Sequence, residues 1–348
     1  MIVFVEVPSF YAEAERLRDE ALRGWPVVVG GDPRKRGLVQ SASREALAAG
    51  CLPGMTMQEA LARCPDARAV KTDMPHYREL SGRLRGCFRS EAEAVEPAGL
   101  ESGYIEIRPG GEDPERVAVR LIARVGESLG LPLRAGIASA KFLARLAAEE
   151  ALPGRCVRIE PGRESAFLAP LPVARLPGVG PKTEQTLARL GAHTIGDLMR
   201  LERDALERAL GNHGLRIREL AQGELDSSVR ANRHPHSLSR EQTFHPPEVD
   251  VGELWECLQR LSQLLGEGLH EQGLCARRVG IKLRFDDQQT TTRSRTLAVP
   301  VSTAAEIFPV TVSLLDRTEA GPRGVGLLGV SVAGLGPRPK DRQLELFA

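Results

Sequence analysis

A chain of 348 residues, 42% hydrophobic and 27% charged, has the composition of an ordinary globular protein and the length for two to four domains. No stretch approaches the ~20 apolar residues of a membrane span, and the chain opens on a strand rather than a basic, apolar leader, so neither membrane insertion nor secretion is expected. A net charge of +1 excludes a chain that is basic throughout, and confines any nucleic-acid contact to local patches of modest, salt-sensitive affinity.

The first residues alternate Ile2, Phe4, Glu6 against Val3, Val5, Val7, a period of two that predicts a strand, followed by a turn and a helix start. Residues 26–62 hold a second strand (Val27-Val28-Val29), a basic turn (Arg34-Lys35-Arg36) and two short helices divided by Gly50 to Gly54. A helix around 76–94 leads to another strand, Gly99 to Ile107. A helix near 114–129 precedes the strand from Arg134, which runs into a helix from Lys141. Residues 166–227 read as helical, and 228–239 as a polar linker. From 240 to 335 a small α+β unit follows. Val251, Leu254, Leu258, Leu261, Leu265 and Leu269 recur there at helical spacing, and Val279, Ile281, Leu283 and Phe285 alternate with Gly280, Lys282 and Arg284. The six cysteines show no Cys-x-x-Cys spacing, which points to reduced thiols and a cytoplasmic protein. Ser9 and His76 belong to no nucleophile–base–orienter set, so hydrolase chemistry has little support.

Met1 to Tyr11, Ser41 to Ala46, Gly54 to Ala60, Gly99 to Ile107 and Val325 to Val332, in that order, resemble the Y-family (translesion) DNA polymerases, and the resemblance covers essentially the whole chain. It implies an α+β multidomain right hand. The palm would span 1–15 and 72–165, the fingers 16–71 and a helical thumb with a helix–hairpin–helix 166–227. A linker (228–239), a little finger (240–335) and a flexible tail (336–348) would complete it.

The departures lie where that family carries its chemistry. Its first strand reads Asp-x-Asp-x-Phe-Phe/Tyr-Ala and its second Asp-Glu-x-Tyr-Leu-Asp. Here Glu6 and Glu101 replace metal-binding Asp residues, Pro8 replaces another Asp, and Ser102 replaces the Glu. Each Asp-to-Glu change adds a carbon–carbon bond of about 1.5 Å. Mg²⁺ tolerates little displacement, and a misplacement of roughly 1 Å can cost on the order of 10²-fold in rate. Arg44 and Leu47 stand where the fingers present Tyr-x-x-Arg to a triphosphate, and Leu152 stands where a phosphate-binding Lys is usual. Tyr11 holds the steric-gate position against ribonucleotides.

For binding, Leu176 to Thr183 looks like a hairpin between helices. Gly178, Val179 and Gly180 would let the backbone approach a DNA phosphate, with Lys182 and Thr183 at the next helix start. Arg277, Arg278, Lys282, Arg284, Arg293 and Arg295 offer cations on two strands for backbone phosphates; an ordinary solvated sheet face is the bland alternative. Gln343, Leu344, Leu346 and Phe347 resemble the bacterial sliding-clamp-binding peptide.

The resulting expectation is a catalytically inactive homologue of the ImuB-like branch: a nucleoid-associated, clamp-tethered DNA-binding adaptor in damage tolerance and induced mutagenesis. No cofactor is expected. The resemblance implies primer–template DNA, the sliding clamp, a replicative-type error-prone polymerase and a RecA-like accessory protein as partners. Two alternatives stand beside it. One is an active, divergent translesion polymerase using Glu6 and Glu101 with Mg²⁺ or Mn²⁺. The other is a plain DNA-binding or regulatory module with no clamp link. For the carboxylates themselves, Glu6, Glu101 and Glu106 read either as plain polar strand residues or, for Glu6 and Glu101, as one surviving cation site.

Overall fold

The computed structural model describes residues 1–35, 37–92, 94–108, 110–223, 228–230 and 236–338, so Gln343, Leu344, Leu346 and Phe347 lie outside the described residues. The chain divides into two units, Met1–Asn232 and Arg233–Ala348.

In the first unit β1 (Ile2–Glu6) passes through a tight turn into α1 (Phe10–Arg18). Ser9 stands at the turn in the left-handed region with φ 55°, a conformation that non-glycine residues adopt mainly where the surroundings enforce it. β2 (Val27–Gly30), β3 (Val39–Ala42) and β4 (Arg68–Lys71) make a three-stranded sheet with α2 (Arg44–Ala48) and α3 (Met57–Arg63) against it. A capping box of Thr56 and Glu59 fixes where α3 begins.

The helix expected from 76 starts earlier. In α4 (Met74–Glu91) the Asp73 side chain accepts the amide of His76, and Pro75 sits in the first turn, where a missing N–H costs nothing. β5 (Val95–Pro97), β6 (Ser102–Glu106), α5 (Pro114–Leu129), β7 (Arg134–Ala138), α6 (Lys141–Glu150) and β8 (Cys156–Arg158) complete a sheet of order β5-β6-β1-β7-β8. β1 is its centre and is covered on both faces. Val3, Val5 and Val7 pack with α4 and α5, whereas Ile2 and Phe4 pack with α6. The helix α6 lies directly on β7: a Cβ at Gly136 would fall 2.0 Å from the Ala144 carbonyl oxygen.

The helices α7 (Glu164–Leu168), α8 (Pro181–Arg189), α9 (Ile195–Arg200), α10 (Arg203–Leu210) and α11 (Asn212–Ala221) follow. Leu168, Leu187, Ile195, Leu198, Leu206 and Ile217 bury into the same core as Phe4 and α6.

The second unit is an antiparallel sheet of order β11-β10-β12-β9, made by β9 (Ser237–Glu248), β10 (Leu274–Phe285), β11 (Thr290–Val301) and β12 (Val325–Pro337). Two helices, α12 (Val251–Glu271) and α13 (Ala304–Leu315), pack on one face against Val279, Ile281, Leu283 and Phe285. Among the described residues no helix is long and apolar enough to cross a membrane.

Candidate active site

Because both faces of β1 are buried, its charged residue can reach solvent only at the strand end. Glu6 is the last residue of β1 and pairs with Ser102, the first of β6. The amide of Val7 donates to the Glu101 carbonyl at 3.0 Å, which seats Glu101 beside Glu6. Both line an open cavity of about 450 Å³, together with Ser9, Tyr11, Leu47 and Arg134. Ser102 is buried in the sheet, and Glu106 lies at the opposite end of β6, paired with Ile2.

The two carboxylates are held differently. Glu101 curls back over its own turn: a Cβ on Gly99 would lie 2.6 Å from Glu101 Oε1, so the glycine leaves the room it uses. Glu6 is gripped from the other side of the sheet. β1 pairs with β7 so that Glu6 faces Arg134, and Arg134 donates from Nε (2.8 Å) and from Nη2 to Glu6 Oε1. Arg134 Nη1 also donates to the Glu149 carbonyl at 3.1 Å, near the end of α6. Nothing in a linear reading of the sequence singled out Arg134; only the strand register brings it to Glu6.

Among the described residues no three His, Cys, Asp or Glu side chains converge on one point, so a closed cage for a metal is absent there. Two carboxylates on one cavity wall do fit a hard divalent cation that keeps waters and shares a polyphosphate, the usual manner of Mg²⁺.

Tyr11 forms the aromatic wall. Its ring stacks on Tyr77, centroids 4.4 Å apart and planes 9° from parallel. Tyr77 is fully buried and its hydroxyl donates to the buried Glu15 carboxylate at 2.7 Å. Burial, and then the hydrogen bond to Glu15, push the Tyr77 phenol far above its ordinary value. Tyr11 is raised as well, by burial first and by the nearby Glu101 charge second. Both rings therefore stay neutral across physiological pH, and Tyr11 is held flat against a fixed support.

The three residues at triphosphate positions do not converge. Leu47 lines the cavity. Arg44 is exposed at the first turn of α2 and is not among the cavity residues. Leu152 is 65% exposed just past α6.

The hairpin residues occupy a built turn. Gly178 has φ 88°, and Gly180 caps α8 with Pro181 in its first turn, where the first amides lack helical partners, among them those of the exposed Lys182 and half-buried Thr183. The half-buried Val179 packs against the core, and His213 Nε2 lies 3.1 Å from the Gly178 carbonyl oxygen.

In the second unit the six cations fall on two faces, which the alternation of one strand alone did not reveal. Arg278, Lys282 and Arg284 share the face of β10 away from the helices. Lys282 reaches Glu241 at 3.1 Å across Gly329, which carries no side chain to block it. Arg293 and Arg295 pair with Ile281 and Val279, so they belong to the helix-facing side and are exposed only because β11 is the edge strand. Arg277 sits in the bulge between Ala276 and Arg278.

Residues 5–149 match the impB/mucB/samB family, 161–192 the IMS family HHH motif and 235–346 the impB/mucB/samB family C-terminal domain. The chain is 36% identical to the DNA polymerase IV of Halorhodospira halophila, with 100% of this chain and 98% of that relative covered. To the DNA polymerase IV of Alkalilimnicola ehrlichii it is 38% identical, with 99% of both covered. A solved Y-family DNA polymerase chimera of Dbh and Dpo4 superposes with a TM-score of 0.84 at 22% identity, over 97% of this chain and 99% of that one. A post-insertion binary complex of Dbh DNA polymerase gives 0.74 at 22% identity over the same shares. At that identity the likeness establishes the fold, a Y-family α+β right hand.

These relatives overturn the expectation of a catalytically inactive, clamp-tethered adaptor, since proteins named DNA polymerase IV match the chain from end to end. Glu6 and Glu101 keep the charge of the Asp residues they replace and both border one cavity, with room for Glu101 at Gly99 and Arg134 set opposite Glu6 by the β1–β7 register, whereas Pro8 and Ser102 carry no charge.

Proposed function

Because the chain belongs to the impB/mucB/samB family of Y-family DNA polymerases, we propose that it is a DNA-directed DNA polymerase of the translesion type, extending a primer along a template with Glu6 and Glu101 as its catalytic carboxylates. The observation that carries this reading is the single cavity in which Glu6 and Glu101, from neighbouring strand ends, meet beside Tyr11.

A bound Mg²⁺ or Mn²⁺ would activate the primer hydroxyl and neutralise the leaving polyphosphate. The chain supplies the rest. Glu6 and Glu101 offer hard oxygen ligands. The Tyr11 ring, backed by Tyr77, walls the place where an incoming sugar would lie, and an extra 2′-hydroxyl would strike it. Leu47 adds apolar wall and no charge, so the triphosphate would be gripped less by the fingers than by the cation. The amides and Lys182 of the hairpin, with Arg278, Lys282 and Arg284 of β10, would hold template and primer phosphates without reading sequence. The peptide with Gln343, Leu344, Leu346 and Phe347 would tether the enzyme to a sliding clamp.

Primer extension by the purified chain with Mg²⁺ or Mn²⁺ tests the reading, with a Glu6→Ala/Glu101→Ala protein as control for a contaminating polymerase. Extension that the double variant lacks supports it; absent extension, or equal extension by both proteins, overturns it. Deleting residues 343–348 should weaken clamp-stimulated extension and leave clamp-free extension unchanged.

A further inference from the structure

We propose that Arg134 is a positioning residue that acts as a built-in cation at Glu6: it fixes the longer carboxylate and neutralises it, so that a divalent ion entering the cavity must win Glu6 from the guanidinium. The inference rests on reading the cavity as a cation-dependent polymerase site. It goes beyond that reading by assigning a role to a residue outside the carboxylate set.

The geometry has three parts. Arg134 Nε and Nη2 both donate to the same oxygen, Glu6 Oε1, and the strand register sets the two residues opposite one another. On the far side, Nη1 donates to the Glu149 carbonyl at 3.1 Å and lies 3.5 Å from the Ala151 carbonyl. Those groups belong to the last turn of α6 and its C-cap residue, where carbonyls lack helical partners and the negative end of the helix dipole lies. The planar fork is thus pinned between a carboxylate and a helix end, an arrangement that a flexible lysine would not reproduce. Finally, the Arg134 and Glu6 side chains are only 20% and 17% exposed, so water screens the pair weakly.

The usual partner of a metal-binding carboxylate tunes its affinity by about 10–100-fold without bringing a competing charge. Arg134 brings a full positive charge to the place where the ion would sit. The cavity is one negative charge poorer than its two carboxylates suggest, and its cation affinity should be low until a polyphosphate arrives with charge of its own.

The test is Mn²⁺ binding to the full chain, without nucleotide, followed by electron paramagnetic resonance. Arg134→Ser should tighten Mn²⁺ binding on the order of tenfold, and Arg134→Lys, which keeps the charge but loses the fork, should fall between Arg134→Ser and the parent. Adding Glu6→Gln to Arg134→Ser should abolish the gain. Unchanged or weaker binding by a folded Arg134→Ser overturns the proposal. Should that variant fail to fold, Glu6→Gln and Glu101→Gln in the parent chain decide. Glu6, already occupied, should contribute less to Mn²⁺ affinity than Glu101, and the reverse order overturns the proposal. Primer extension run in parallel keeps the two readings apart. Tightened Mn²⁺ binding with no extension by any variant leaves the Arg134 role standing and removes the polymerase. Extension by the parent with Mn²⁺ binding indifferent to Arg134 does the opposite.

Discussion

In the first unit β1 lies under helices on both faces and can show a charge only at its end, whereas in the second unit α12 and α13 cover one face and leave Arg278, Lys282 and Arg284 along the other. Two sheets of similar chemistry therefore place polar work in opposite ways. At a strand end a function rests on a few side chains whose positions are fixed by register, so one added carbon matters. On an open face it is spread over many exposed groups, each replaceable. Arg134 and Lys282 illustrate the contrast. Both are cations paired with a glutamate across the sheet, but the first is pinned on two sides in a half-buried corner, while the second is 46% exposed and reaches over a glycine.

The sharpest way to break this comparison is at the strand ends. Glu6→Ala/Glu101→Ala should lower primer extension by at least about 10²-fold. Glu106→Ala, at the far end of β6 from Glu101, should change it no more than about twofold, as for a surface site.

Glycines make the next test. Gly136→Ala would drive a methyl group into the backbone of α6 and should destabilise the first unit by roughly 3 kcal/mol in chemical denaturation. Gly329→Ala meets only the Glu241 side chain, which can swing away, and should cost less than about 1 kcal/mol. Equal effects would mean that the two sheets are equally tolerant.

Behind the cavity, Tyr77→Phe removes the hydroxyl that donates to the buried Glu15 carboxylate, and should cost about 1–3 kcal/mol, read as a lower melting temperature. A variant as stable as the parent would mean that Glu15 is not held by Tyr77.

The smallest effects belong to the open face. Alanine at Arg278, Lys282 or Arg284 should weaken DNA binding by less than about tenfold each and flatten the salt dependence by about one unit of slope, whatever the DNA sequence. Arg293→Ala, on the other face, should change the slope less. A larger loss from Arg293 would place the DNA at the sheet edge instead.

Much of this architecture was legible in the residues. Alternation located β1 and β10, the spacing of Val251 to Leu269 located α12, and the hairpin glycines marked a turn between helices. The site was legible in part: Glu6, Glu101, Tyr11 and Leu47 do share one cavity, while Arg44 and Leu152 do not join them. The error lay in function, because a motif compared letter by letter counts Glu for Asp as a loss without asking whether the surroundings accept the longer arm. What the sequence alone determined is whatever local sterics and side-chain periodicity decide: the elements, their order and their buried faces. Only the tertiary structure decided that Arg134 meets Glu6, that Gly99 makes room for Glu101, and that Arg293 and Lys282 part to opposite faces. Each of these depends on strand register or on the close approach of segments far apart in the chain, and neither leaves a local trace in the sequence.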